Sequence, residues 1–112
     1  MIKDYAVWNI DELVSAYANV PEVARTVSET MEALFKFFET EGLLRCRVTD
    51  SDGKLIKRQI MASEITEEGE LFSTGPRNTV QRWLGSKGAQ KSPPDMKMLE
   101  KALAESRSGN LR

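Results

Sequence analysis

An α+β fold, mostly helical around one two-stranded antiparallel hairpin, is what this 112-residue chain predicts. Three observations carry that expectation. Apolar residues recur with helical period over residues 9–18 and 21–41, the period changes to two after Gly42, and the turn phrase Asp50-Ser51-Asp52-Gly53 splits the alternating stretch into two strands. The composition, 40% hydrophobic and 29% charged, is that of an ordinary globular domain with one modest core.

The elements follow in order. Asn9 can cap a first helix, with Glu12 three residues on, and Ile10, Leu13, Val14, Tyr17 and Ala18 form its apolar stripe. Pro21 suits the first position of a second helix, and Glu22 complements its dipole. Val23, Ala24, Val27, Met31, Leu34, Phe35 and Phe38 then make a continuous stripe up to Glu41, where Gly42 supplies a left-handed exit. This long helix reads as the spine of the core, and Arg25 to Ser28 is where a break in it would fall. Leu44, Cys46 and Val48 alternate with Arg45, Arg47 and Thr49 as a half-buried strand does, and Leu55 to Met61 is the return strand.

Thr66 caps the next helix, with Glu67 and Glu68 in its first turn. Gly75 and Pro76 predict a kink or two short helices on the way to Trp83 and Leu84. Residues 85–92, GSKGAQKS, read as a flexible linker. Ser92, Pro93 and Asp95 then cap a last helix bearing Met96, Leu99, Ala102 and Leu103. The expected order is helix, helix, strand, strand, helix, helix, in a single domain over residues 1–105 with a disordered tail over 106–112.

Charge is segregated although the net value is only −1. Residues 1–44 set Lys3, Arg25 and Lys36 against Asp4, Asp11, Glu12, Glu22, Glu29, Glu32, Glu39 and Glu41. The hairpin is basic through Arg45, Arg47, Lys54, Lys57 and Arg58, and residues 77–112 are basic again. Such a molecule offers one face for each sign of partner.

The phrases flanking the hairpin resemble winged-helix domains, in which a helix ends in L-x-x-x-G-L-[IL]-x-R, a charged hairpin forms the wing, and [IL]-T-x-x-G opens the next helix. The corresponding residues are Phe38, Glu41, Gly42, Leu43, Leu44 and Arg45, the turn at Asp52 and Gly53, and Ile65, Thr66, Glu67, Glu68 and Gly69, together about a third of the chain. The resemblance implies nucleic-acid binding, with the helix before the wing as the reading element. This chain departs from the pattern there. Between Pro21 and Glu41 the only cations are Arg25 and Lys36, among five glutamates, and phosphate contact needs Lys and Arg. Ser63, Glu64, Ile65, Thr66, Glu68, Gly69, Trp83 and Leu84 are also similar to small bacterial proteins in which S-[DE]-[LI]-T-x-E-G precedes a helix carrying a Trp. That likeness implies an accessory or toxin-neutralising (immunity-type) partner.

The chain has no histidine, a single cysteine and no glycine-rich phosphate loop. Cys46 reads as a buried thiol, Asp50 to Gly53 as a turn, and Glu64, Glu67, Glu68 and Glu70 as cap and dipole residues. The expectation is therefore a non-enzymatic binding module with no catalytic residue, metal or cofactor. Its partner is expected to be another protein, with a DNA-binding regulator as the alternative and the long helix as a surface for pairing with a second copy. The candidate contacts are Arg45, Arg47, Lys54, Lys57 and Arg58, with Phe37 added because it lies off the stripe of Phe35 and Phe38. No apolar run reaches the length of a membrane span and no signal-peptide pattern opens the chain, so the expected compartment is the cytoplasm.

Overall fold

The computed structural model describes residues 4–74 and 78–108, and it is α+β and mostly helical. A short strand β1 (Ala6–Asn9) leads into helix α1 (Ile10–Ser15), then the twenty-residue helix α2 (Pro21–Thr40) and strand β2 (Gln59–Met61). Helices α3 (Glu67–Thr74), α4 (Thr79–Leu84) and α5 (Lys97–Ser108) follow, with single 3-10 turns at Ala62–Glu64 and Gly88–Gln90.

The local signals that set α2 act as their chemistry dictates. Pro21 opens it, no break occurs at Arg25 to Ser28, and Gly42 closes it at φ +75°. The Leu43 N–H reaches the Phe38 carbonyl at 2.8 Å and the Gly42 N–H reaches that of Glu39 at 3.2 Å, the paired bonds of a Schellman end. Asn9 caps α1 by accepting the Glu12 N–H at 3.0 Å, and Thr66 caps α3 by accepting that of Gly69 at 3.0 Å.

The hairpin differs from the expected pair of full strands. Its tip forms: Asp50 N–H donates to the Lys54 carbonyl, Ile56 N–H donates to that of Val48, and Thr49 bridges Leu55. Below that tip the Val48 N–H, which would continue the ladder to Ile56, is taken by Glu39 of α2, which also accepts the Thr49 N–H. Burial still alternates from exposed Arg45 through half-buried Cys46 and exposed Arg47 to buried Val48, although Thr49 is buried as well. The regular sheet is made instead by β2 pairing antiparallel with β1, with Trp8 opposite Ile60 and an irregularity between Ala6 and Trp8.

The core gathers Ile10, Met31, Leu34, Phe35, Phe38, Leu43, Ile60, Phe72, Trp83, Leu99 and Leu103 against α2. Trp8 meets Phe38 edge-on with ring centroids 5.2 Å apart. Two stretches expected to be loose are pinned. Ala89, inside the predicted linker, is wholly buried, and the Thr30 hydroxyl of α2 donates to its carbonyl at 2.6 Å. In the predicted tail, α5 continues to Ser108, and Arg107 donates to the Glu41 carbonyl at 2.6 Å and to both carboxylate oxygens of Glu68 at 2.7 and 3.1 Å. Residues 109–112, the rest of that tail, lie outside the described residues. So do Gly75 and Pro76, on either side of which α3 ends at Thr74 and α4 begins at Thr79.

Gly69 marks where the two halves of the hairpin region meet. Thr66 N–H and hydroxyl both donate to the Leu43 carbonyl, and a Cβ on Gly69 would stand 2.6 Å from that same oxygen and 2.8 Å from Ile65 Cγ2. Gly69→Ala is therefore expected to destabilise by about 1–3 kcal/mol despite alanine's better helix propensity. Urea denaturation checks this, and an alanine variant as stable as the parent would contradict the close approach.

Candidate interaction surface

The five hairpin cations nominated by sequence do not form one open basic face. Arg58 is drawn inward: its Nε donates to Asp11 of α1 at 2.7 Å and its Nη1 to Glu32 of α2 at 3.2 Å. Hydrogen bonding to Asp11 and then to Glu32 raises the guanidinium's proton affinity above its ordinary value. Lys57 closes on Glu64 at 2.9 Å, and the hydrogen bond to that carboxylate raises its pKa. Burial pushes Glu64 up, but the Met61 N–H at 2.8 Å and the Lys57 ammonium outweigh it and hold the carboxyl below its usual value. Arg47 approaches Glu39 at 3.9 Å, and Arg45 and Lys54 are exposed.

These contacts have a structural purpose. Glu39 accepts Val48 N–H at 2.5 Å, Thr49 N–H at 2.9 Å and the Thr49 hydroxyl at 2.6 Å, so one carboxylate seats the hairpin on α2. The Thr49 hydroxyl, ahead of the backbone donors, holds its pKa below the ordinary value. Cys46 sits half-buried beside the Lys57–Glu64 pair, where burial and then the Glu64 charge push its thiol pKa up. That is the reverse of an activated nucleophile.

Phe37, expected to stand outside the core as a contact, is buried at 7% exposure. It stacks on Phe72 of α3 with centroids 6.2 Å apart and lies 6.4 Å from Phe38. Its side of α2 is covered by Phe72, because α3 folds back through the Leu43–Thr66 junction. Phe37 therefore belongs to the core.

An open apolar surface lies elsewhere, on residues that periodicity assigns to the core. Along the α1 stripe only Ile10 is buried and Val14 half-buried, while Leu13 is 38% and Tyr17 43% exposed. Val20, in the connection, is 46% exposed and Val23, in the first turn of α2, is 38% exposed. Beside them runs a groove of about 460 Å³ lined by Tyr17, Glu22, Val23, Thr26, Val27, Thr30, Met31, Leu84 and Gln90. A second depression, of about 480 Å³, lies between Val7 and Trp8 of β1 and Val80 and Gln81 of α4. Among the described residues, the other large exposed apolar side chains, Tyr5, Ile56, Leu71 and Met98, occur singly along the chain.

No protein family, curated protein or solved structure matches this chain. Its own surface is therefore what points to function. Among the described residues, no group of three or more His, Cys, Asp or Glu side chains is gathered as a metal ion would require. No helix among them is long and apolar enough to cross a membrane.

Proposed function

We propose that this protein is a non-enzymatic protein-binding module of the accessory or immunity type, which uses the α1–α2 face rather than the hairpin. One observation carries the reading: Leu13, Tyr17, Val20 and Val23 expose core-type side chains, and Tyr17 and Val23 line an apolar groove. Four such residues within eleven positions form a patch of the kind that marks protein contact, and tyrosine is suited to a surface with one apolar and one wet side. The hairpin cations, by contrast, are spent largely on the protein's own carboxylates.

The test compares two double variants in cells expressing the chain, with complexes fixed by a chemical crosslinker and identified by mass spectrometry. Tyr17→Asp with Val23→Asp is expected to abolish the protein adducts, and Arg45→Glu with Lys54→Glu to preserve them. Both alter exposed side chains, so each should keep its fold to within about 0.5 kcal/mol. Adducts lost with the hairpin variant and kept with the groove variant would overturn the assignment.

The alternative, a DNA-binding regulator of winged-helix type, draws on Arg45 and Lys54, which are exposed and form no ion pair within 4.0 Å among the described residues. It requires affinity for duplex DNA that falls steeply with salt, since each phosphate contact releases counterions. A salt titration with duplex DNA decides it. We expect no micromolar binding even at low salt.

A further inference from the structure

We infer that the groove along α2, closed on its other side by Leu84 and Gln90, receives a cationic amphipathic helix of a partner protein, its apolar side chains seated on Val23, Val27, Met31 and Leu84 and its lysines or arginines against Glu22 and Glu29. This deepens the reading above and rests on it. The α2 residues lining the groove are 22, 23, 26, 27, 30 and 31, a strip about 14 Å long at a rise of 1.5 Å per residue. A partner helix spans that length with anchors at i, i+3 or i+4, and i+7. A strand is a poor fit. The walls are helical, and the interior N–H groups of α2 are already spent within the helix, leaving no open ladder to extend.

Charge selects the sign of the partner. At 100° per residue, Glu22 and Glu29 lie together along one edge of the lining strip, and Arg25, three residues from the first and four from the second, lies beside them just outside the strip. Among the described residues neither glutamate has a cation within 4.0 Å. Glu29 accepts the neutral Ser92 hydroxyl, at 3.3 Å, whereas Glu32 on the same helix is neutralised by Arg58. Arg25 offsets one of these two charges and the helix N-terminus about half of another, which leaves the edge weakly net negative. A second copy docked through this same face would bring like charges together, because a two-fold interface pairs a surface with itself.

The test uses the full chain, isotope-labelled for NMR, and two synthetic helical peptides of about 18 residues. Both carry leucines at i, i+3, i+4 and i+7; one has lysines flanking that stripe and the other glutamates at the same places. The lysine peptide is expected to shift the amides of residues 22–31, 84 and 90 and to bind about tenfold tighter at low salt, with the gap narrowing as salt is added. Glu22→Lys combined with Glu29→Lys should shrink or invert the preference while circular dichroism stays unchanged.

Equal binding of both peptides, shifts mapping elsewhere, an unchanged preference in the double variant, or concentration-dependent pairing of the chain through the groove amides would each overturn the inference. So would no peptide binding at all. If the peptides fail while cellular protein adducts still vanish with Tyr17→Asp and Val23→Asp, only the cationic-helix inference falls. If those adducts never form, the binding-module reading falls with it.

Discussion

Replacing Trp83 with Ala is expected to lower the unfolding free energy by about 3–5 kcal/mol. Trp83 is wholly buried on α4, and its indole N–H donates to the Asp95 carbonyl at 2.9 Å. Its own carbonyl accepts the Ser86 N–H at 2.9 Å and the Ser86 hydroxyl at 2.6 Å. One residue thus fills the core and ties down both ends of the connection from α4 to α5. Alanine would leave a cavity and strip the Asp95 carbonyl of its donor. Trp83→Phe keeps most of the bulk and should cost about 1–3 kcal/mol, chiefly for the unpaired carbonyl. Urea denaturation followed by circular dichroism measures both. A loss below about 1 kcal/mol for the alanine variant would mean that this connection is not anchored as described.

Removing the Glu39 carboxylate is expected to cost about 1.5–3 kcal/mol, because three donors from Val48 and Thr49 converge on it and hydrogen bonds to a charged acceptor are the stronger kind. The effect carries a pH signature. The folded pKa of Glu39 is depressed, so its stabilisation is complete above the unfolded carboxylate value of about 4.3 and is lost as pH falls through the folded value. Glu64 and Glu68 are depressed as well and act in the same direction, Glu68 through the hydrogen bond from Arg107. Stability should therefore decline as the solution is acidified below about pH 5. Glu39→Gln should flatten part of that decline. An unchanged acid profile in the Gln variant would show that this carboxylate does not hold the hairpin.

What can be read from the sequence is set by local chemistry. Pro21, Gly42, Asn9 and Thr66 act within one helical turn of themselves, and each does in the structure what its residue type dictates. The alternation of Cys46 and Val48 with Arg45 and Arg47 is local in the same sense. The departures come from contacts between distant residues. β1 finds its partner about fifty positions away at β2, and the few residues of a short edge strand carry little signal of that pairing. The GSKGAQKS segment looks flexible until Thr30 binds the Ala89 carbonyl, and within residues 106–108 of the expected tail Arg107 reaches Glu41 and Glu68. Phe37 reads as exposed because the stripe rule counts one buried face of α2, whereas Phe72 of α3 covers a second.

That same rule hides the candidate surface. Leu13, Tyr17 and Val23 follow the helical period of core residues, and periodicity cannot tell a face packed against the protein's own core from one held open for another chain. The basic hairpin, prominent in the sequence, is turned largely to internal pairing, since Arg58 and Lys57 meet Asp11, Glu32 and Glu64 from segments far away or across a turn.

A photo-crosslinking amino acid placed at Tyr17 in one variant and at Lys54 in another separates binding through the groove from binding through the hairpin. Both positions are exposed, so neither substitution disturbs the core. The expected result is a discrete protein adduct from position 17, competed away by unlabelled parent chain, with none from position 54. Protein or nucleic-acid adducts formed at position 54 and absent at position 17 would show that the hairpin, and not the α1–α2 face, is the surface this protein binds through.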